Sequence, residues 1–214
     1  MARISVLGGT GYTGGHVARE AARRGHQVTS YSRNAPSEPV DGVTYVTASA
    51  LDADFAATVL QDTDVVVSGL AARGELVGAV RPLVAALAEA APAAGVRIGV
   101  VGGAGSLEVA PGGPLLITTP EFPEVARVES EEMLGALEDL RATPSDLDFF
   151  YVSPAAGYGS FAPGEDTGSY RLGGDVLLTD DDGVSFVSGA DLARAIVDEI
   201  ETPAHRRARF TVAY

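Results

Sequence analysis

The stretch Ala2-Arg3-Ile4-Ser5-Val6-Leu7-Gly8-Gly9-Thr10-Gly11-Tyr12-Thr13-Gly14 decides the fold. Residues 2–7 read as a buried strand that runs directly into glycines. Gly15 to Arg24 reads as a helix, with the small apolar residues Val17, Ala18, Ala21 and Ala22 at helical spacing and Gly25 as its stop. His26 to Ser32 reads as a second strand. Strand, glycine turn, helix, strand is the order of a dinucleotide-binding βαβ unit, and Gly9, Gly11 and Gly14 fit G-x-G-x-x-G. The glycines have physical reasons. A sharp turn from strand to helix needs backbone angles that a Cβ penalises. Gly11 leaves room for a pyrophosphate at the backbone, and Gly14 allows the helix to seat on the strand. Free N–H groups at the helix start, with roughly half a positive charge, suit an anion. Gly8, Thr10, Gly11, Tyr12, Thr13 and Gly14 are therefore the expected cofactor loop. A tight turn in some other α/β protein is the plainer alternative.

Composition narrows the partners. A chain of 214 residues suits one domain over 1–214, with a substantial core. No apolar run is long enough to span a bilayer; residues 82–96, the most apolar, are broken by Glu89, Pro92 and Gly95. The opening has one arginine before the strand, which is not the pattern expected of a signal peptide. The formal net charge of -14 argues against nucleic acid or an anionic membrane as partner. A phosphate site must then be built locally. The absence of cysteine excludes disulfides and Cys metal sites, and fits a reducing cytoplasm. All 15 basic residues are arginine, so a P-loop lysine, Schiff-base chemistry and a Tyr-x-x-x-Lys pair are absent.

Apolar strands alternate with helices along the chain. Strands are expected at 43–47, 64–68, 96–101 and 146–152, and helices at 52–60, 76–94 and 128–141. This predicts an α/β, Rossmann-like, doubly wound sheet, mostly parallel, with helices on both faces. Residues 102–127 and 153–168 read as long loops. Residues 170–179 and 184–187 read as a small hairpin about Asp180-Asp181-Asp182-Gly183, followed by a helix at 190–201 and a strand at 209–214.

Candidate ligand groups fall at the strand ends. Arg33 stands where an NAD enzyme usually carries an acid, and an arginine there can pair with a 2′-phosphate; a solvated strand-end arginine is the alternative. Asp52 can meet an adenine amino group or cap a helix. Ser68, Gly69 and Leu70 end the fourth strand, and Arg73 just beyond can reach a phosphate or face solvent. Gly102, Gly103 and Ser106 follow the fifth strand; Ser106 is either a hydroxyl beside the reacting atoms or a turn serine bonded to its own backbone. Ser153 and Pro154 end the sixth strand, beside the nicotinamide. Phe122, Tyr158, Phe161 and Tyr170 can stack on a ring or belong to the core. No histidine pair has metal-ligand spacing, so no metal is expected.

The residues GGTGYTGGHV, VVGGAGSLEV, YVSPA, YRLGGD and RFTVAY together resemble the NADH-flavin-reductase-like group of atypical short-chain dehydrogenases. That group is related to biliverdin reductase B and, more distantly, to NmrA-like regulators. Gly8, Gly11 and Gly14 also fit the G-x-x-G-x-x-G spacing of short-chain and extended dehydrogenases. The resemblance spans essentially the whole chain. It implies a nicotinamide dinucleotide, NADP(H) or NAD, and a flavin or similar ring as acceptor. It matches Arg33 and Ser106 to an arginine after the second strand and a serine after the fifth. The usual Tyr-x-x-x-Lys is missing. The expected function is an NAD(P)H-dependent reductase with Ser106 beside the reacting atoms, and the homodimer is one open expectation for its assembly. A non-catalytic NADP(H) sensor of NmrA-like type is the alternative; a sugar-nucleotide epimerase is disfavoured.

Overall fold

The computed structural model describes residues 1–214. In chain order its elements are β1 (Arg3–Leu7), α1 (Tyr12–Arg23), β2 (Gln27–Ser32), β3 (Val43–Thr47), α2 (Phe55–Val59), β4 (Val65–Ser68), α3 (Val80–Ala94), β5 (Arg97–Val101), α4 (Glu124–Ala142), β6 (Phe149–Pro154), β7 (Arg171–Gly173), α5 (Gly189–Glu201) and β8 (Ala208–Ala213). The strands form one sheet in the order β3-β2-β1-β4-β5-β6-β8-β7, parallel except for the last pair. Strand order reverses at β1, which has β2 on one side and β4 on the other. A crevice opens above the carboxyl ends of the strands at such a point.

Alternation along each strand feeds two cores. Phe149 and Tyr151 of β6 face one layer with α2, α3 and α4; Phe150 and Val152 face the other with α1 and α5. The cores hold 24 and 22 buried residues, so neither face of the sheet is left to solvent. Each fully buried Val, Leu, Ile or Phe contributes roughly 1.5–3 kcal/mol. Gly95 closes α3 with a left-handed φ of 67°, as its place after the apolar run predicts.

Several expectations need correction. The third strand is an edge strand and largely exposed. Helix α2 is a single turn and half, beginning at Phe55 instead of Asp52. Helix α4 begins at Glu124, four residues before the apolar pattern suggests, because Pro123 fits the extended helix entry and Glu124 suits its positive end. Strand β6 starts at Phe149 and includes Ser153 and Pro154. The hairpin does not form. The turn at Asp180 is present, with Gly183 at φ 78°, but its arms have other partners: β7 pairs with β8, and Glu108 exchanges backbone bonds with Asp175 and Leu177.

One carboxylate fastens the segment that follows β6. Asp191 at the start of α5 is fully buried and accepts hydrogen bonds from Thr167 N, Gly168 N, the Ser188 hydroxyl and the Tyr214 hydroxyl, the last at 2.6 Å. Ser188 caps the helix by accepting from Asp191 N. Burial alone pushes the Asp191 carboxyl up, but these bonds outweigh it and hold it down at about 2. A folded-state value below the unfolded one stabilises the protein above about pH 4, and that stability is lost as pH falls from there toward about 2. Asp191→Asn is expected to cost about 2 kcal/mol at pH 7 and to flatten the acid limb of stability between about pH 5 and pH 2. Denaturant unfolding at a series of pH values measures both; an unchanged acid limb would show that Asp191 is not the titrating tie.

Candidate functional site

The turn after β1 packs backbone on backbone. Gly8 has a left-handed φ of 76°. A Cβ on Gly14 would lie 2.3 Å from the Gly8 carbonyl oxygen, so only glycine permits this seat for α1. A Cβ on Gly11 would meet nothing nearer than 3.2 Å, and Gly11 lines a cleft. Gly14 is buried and acts by packing, whereas Gly11 keeps the approach to the helix start open. Helix α1 has no side-chain cap, which leaves its first N–H groups toward the cleft for an anion.

The cleft, about 1200 Å³, runs along the carboxyl edge from β2 to β6. That exceeds the roughly 300–1000 Å³ of a pocket for one drug-sized ligand. Ala48, Ala50, Phe55 and Arg33 form one end, the glycine turn and Gly69 to Gly74 the middle, and the loops after β5 and β6 with the first turns of α4 the other end. Gly8, Thr10, Gly11, Tyr12, Thr13, Arg33, Gly69, Leu70, Arg73, Gly102, Gly103 and Pro154 all line it. The positions scattered through the sequence thus converge on one surface.

Five expected groups do not. Gly14 is buried beneath the turn, in the packing already described. Asp52 is exposed and outside the cleft, because its turn carries Ala50 and Phe55 inward instead. Ser68 and Ser153 lie within their strands, fully buried, with no hydrogen-bond partner for either hydroxyl. Ser106 is also buried: its hydroxyl and carbonyl both accept from the Arg209 guanidinium, at 2.9 and 2.8 Å. Arg209 in turn holds Asp175. The serine after the fifth strand is therefore a structural anchor of its loop, and the role beside the reacting atoms does not follow for it.

Both cleft arginines are paired. Arg33 reaches Glu75 at 2.6 Å, across the rim, and Arg73 pairs with Glu129 of α4. Such exposed pairs are worth about 0–1 kcal/mol, so a phosphate can displace them. Thr13 and Tyr158 share a 2.8 Å hydrogen bond between hydroxyls, and Tyr12 stands 5.5 Å from the Tyr158 ring. Burial pushes the Tyr158 phenol up, so it stays protonated at neutral pH. Gly102 has a second purpose. A Cβ there would overlap the hydroxyl of Tyr151, which donates to the Met133 carbonyl and pins α4 above β5.

One face of α4 also belongs to the cleft, beyond the residues expected from sequence. Ala126, Glu129, Ser130 and Met133 line the cleft at spacings of three and four, one side of a helix. Glu129, Ser130 and Met133 fall within the helix expected at 128–141, but helical period alone does not say which side of it meets the cleft and which meets the core. Ser130 lies beside Gly105, where a Cβ would approach its hydroxyl to 2.9 Å. No tyrosine or lysine stands on this face.

The residues fit a dinucleotide: an open backbone at Gly11, an uncapped helix start, and an arginine at the far end. Comparison with known proteins agrees. Residues 8–203 match a family described as NAD(P)H-binding. A candidate exported protein of Burkholderia pseudomallei is 40% identical, with full coverage of both chains and a TM-score of 0.87. A candidate epimerase of Bacteroides thetaiotaomicron is 30% identical over 100% of this chain and 97% of that one, TM-score 0.87. SP1627 of Streptococcus pneumoniae TIGR4, a candidate NADH-flavin reductase, is 28% identical over 100% of this chain and 99% of that one, TM-score 0.83. No helix is long and apolar enough to cross a membrane. The chain belongs to the NAD(P)H-binding family.

Proposed function

We propose that the protein is an NADPH-dependent reductase whose acceptor is a flavin-like ring. The observation that carries this reading is the continuity of the cleft. It passes from Arg33 over the glycine turn to an aromatic pocket at Phe122, Tyr158 and Phe161. Adenosine is assigned to the Ala48–Phe55 end, with Arg33 toward a 2′-phosphate; pyrophosphate to Gly11, Tyr12 and Thr13; nicotinamide to Gly102, Gly103 and Pro154. NAD occupies the same cleft without the Arg33 contact. When bound, the cofactor supplies a hydride.

The protein's part is mainly positioning, which can be worth several kcal/mol of barrier. Tyr158, held by Thr13, and Phe122 set the walls against which two rings stack. Ser130 supplies the hydroxyl at the β5 edge, the place first assigned to Ser106. The α4 face lacks a Tyr/Lys pair, which suits an acceptor that can take its proton from water. An acceptor-sized pocket also favours the enzyme over a sensor with no second ligand.

Gly11→Val should place a branched side chain on the pyrophosphate path and abolish NADPH binding in a folded protein. Calorimetry beside a circular dichroism spectrum decides it; unchanged affinity would remove the glycine turn from the site.

Arg33→Ala is expected to weaken NADPH about tenfold and leave NADH within about twofold. A charge-assisted bond is worth roughly 1.5–3 kcal/mol, less here because the phosphate must first displace Glu75. Parallel titrations with both cofactors measure the ratio, and equal losses would show that Arg33 does not read the phosphate.

Stopped-flow absorbance at the NADPH band should show oxidation with riboflavin or a quinone. Ser130→Ala should slow it roughly two- to tenfold, the worth of one net hydrogen bond, with NADPH affinity unchanged. Tight NADPH binding with no acceptor reduced above the uncatalysed rate would hand the site to the sensor reading.

A further inference from the structure

The charge and polarity of the acceptor end differ from those of the rest of the cleft. Ten large hydrophobic residues are exposed on the whole protein, and four of them stand on this one cleft: Val77, Val125, Val128 and Phe161, at 51%, 94%, 56% and 76%. Exposed apolar residues scattered singly need no explanation, but a cluster lining a concavity marks a ligand surface. Phe122 lies behind them beside Gly105, where a Cβ would come within 3.3 Å of its ring. The surface is apolar and aromatic, suited to a flat ring system.

The charged groups beside it are carboxylates. Glu121 and Glu129 both line the cleft here. Glu129 is taken by Arg73, and Glu121 has no ion-pair or hydrogen-bond partner for its carboxylate. The nearby cations are outnumbered: Arg73, the one arginine that lines this end, already faces Glu129. Arg127 lies over the Phe122 ring at 5.7 Å but donates to Glu124 and to the Ile117 carbonyl, and does not line the cleft. Arg33, the other cleft arginine, stands at the opposite end. The whole chain adds a formal charge of -14.

We infer that the acceptor is an uncharged planar ring, riboflavin or a neutral quinone, and that Glu121 discriminates against phosphorylated flavins. This rests on the reductase reading for the identity of the second ligand, but it concerns selectivity at that end alone. A phosphate monoester brings about 1.5–2 negative charges at neutral pH. Such a group on the ring's side chain meets two carboxylates, Glu121 and Glu129, against the single arginine Arg73, so the local balance of charge stays negative. The adenosine end is built the other way, so the cleft sorts its two ligands by charge.

The experiment is an equilibrium titration of the NADP⁺-loaded protein with riboflavin and with FMN, followed by quenching of flavin fluorescence. Riboflavin is expected to bind on the order of fivefold tighter at low salt, the size of one close like-charge contact in water. The gap should close near 1 M salt, where the screening length is about 3 Å. Glu121→Gln should close most of the gap, tightening FMN about fivefold and leaving riboflavin unchanged, and Glu121→Lys should reverse the preference. Equal or tighter binding of FMN by the wild type, a preference that ignores both salt and Glu121→Lys, or no binding of either flavin overturns the inference. Binding with the expected pattern but without NADPH oxidation in stopped flow would instead overturn the reductase reading and leave the selectivity standing.

Discussion

The rest of the structure depends on one close approach, that of α1 to the backbone of the turn that precedes it. With a Cβ at Gly14 only 2.3 Å from the Gly8 oxygen, the helix would have to lift off β1. Gly69 adds to the constraint from the neighbouring loop, since a Cβ there would lie 3.0 Å from Gly14 N. Three backbone segments therefore meet with no side chain between them. Lifting the helix would move Gly11, Tyr12 and Thr13 together, and with them the hydrogen bond from Thr13 to Tyr158. The floor of the cleft and one wall of its aromatic end are thus set by the same packing.

Arginine has an unusual share in this protein. In a chain without lysine, several guanidiniums are consumed as internal ties. Arg97 is buried and holds Glu199 at 2.6 Å, while Glu199 also accepts from His205. Arg209 is buried and joins Ser106 to Asp175. The planar fork of arginine suits such multiple contacts in a way that a lysine ammonium does not. A buried ion pair of this kind is expensive to break, because one charge is then left without a partner. The loops after β5 and before β8 are bound by these ties and not by a hydrophobic cluster of their own.

The same economy shapes the cleft. Its two arginines, Arg33 and Arg73, stay near the surface, each balanced by a single glutamate that an incoming anion can replace. Its opposite end is walled by exposed valines and a phenylalanine, under a helix whose height is set by Tyr151 and Met133. Tight packing lies below the cleft, and replaceable contacts lie at its rim. That division suits the proposed pairing of a charged cofactor with an uncharged ring.

Much was determined by sequence alone. Near-continuous apolar strands, glycine at the strand-helix junction and small residues on α1 leave few folds that bury their surfaces, so the doubly wound sheet and its glycine turn were legible. That Arg33 and the strand-end glycines share one edge was legible too, since strand ends must gather at one edge of a parallel sheet. Tertiary structure decided which side chains at those edges face a ligand. Ser106 follows the fifth strand as expected, yet Arg209, 103 residues later, captures it; Ser68 and Ser153 fall on the inward side of their strands. The hairpin at 170–187 failed for the same reason, because Glu108 and β8 compete for its backbone. Ser130 and Glu121 gained their places only when α4 was docked over β5. Local patterns report what a segment can form, and long-range contacts settle which of its atoms remain free.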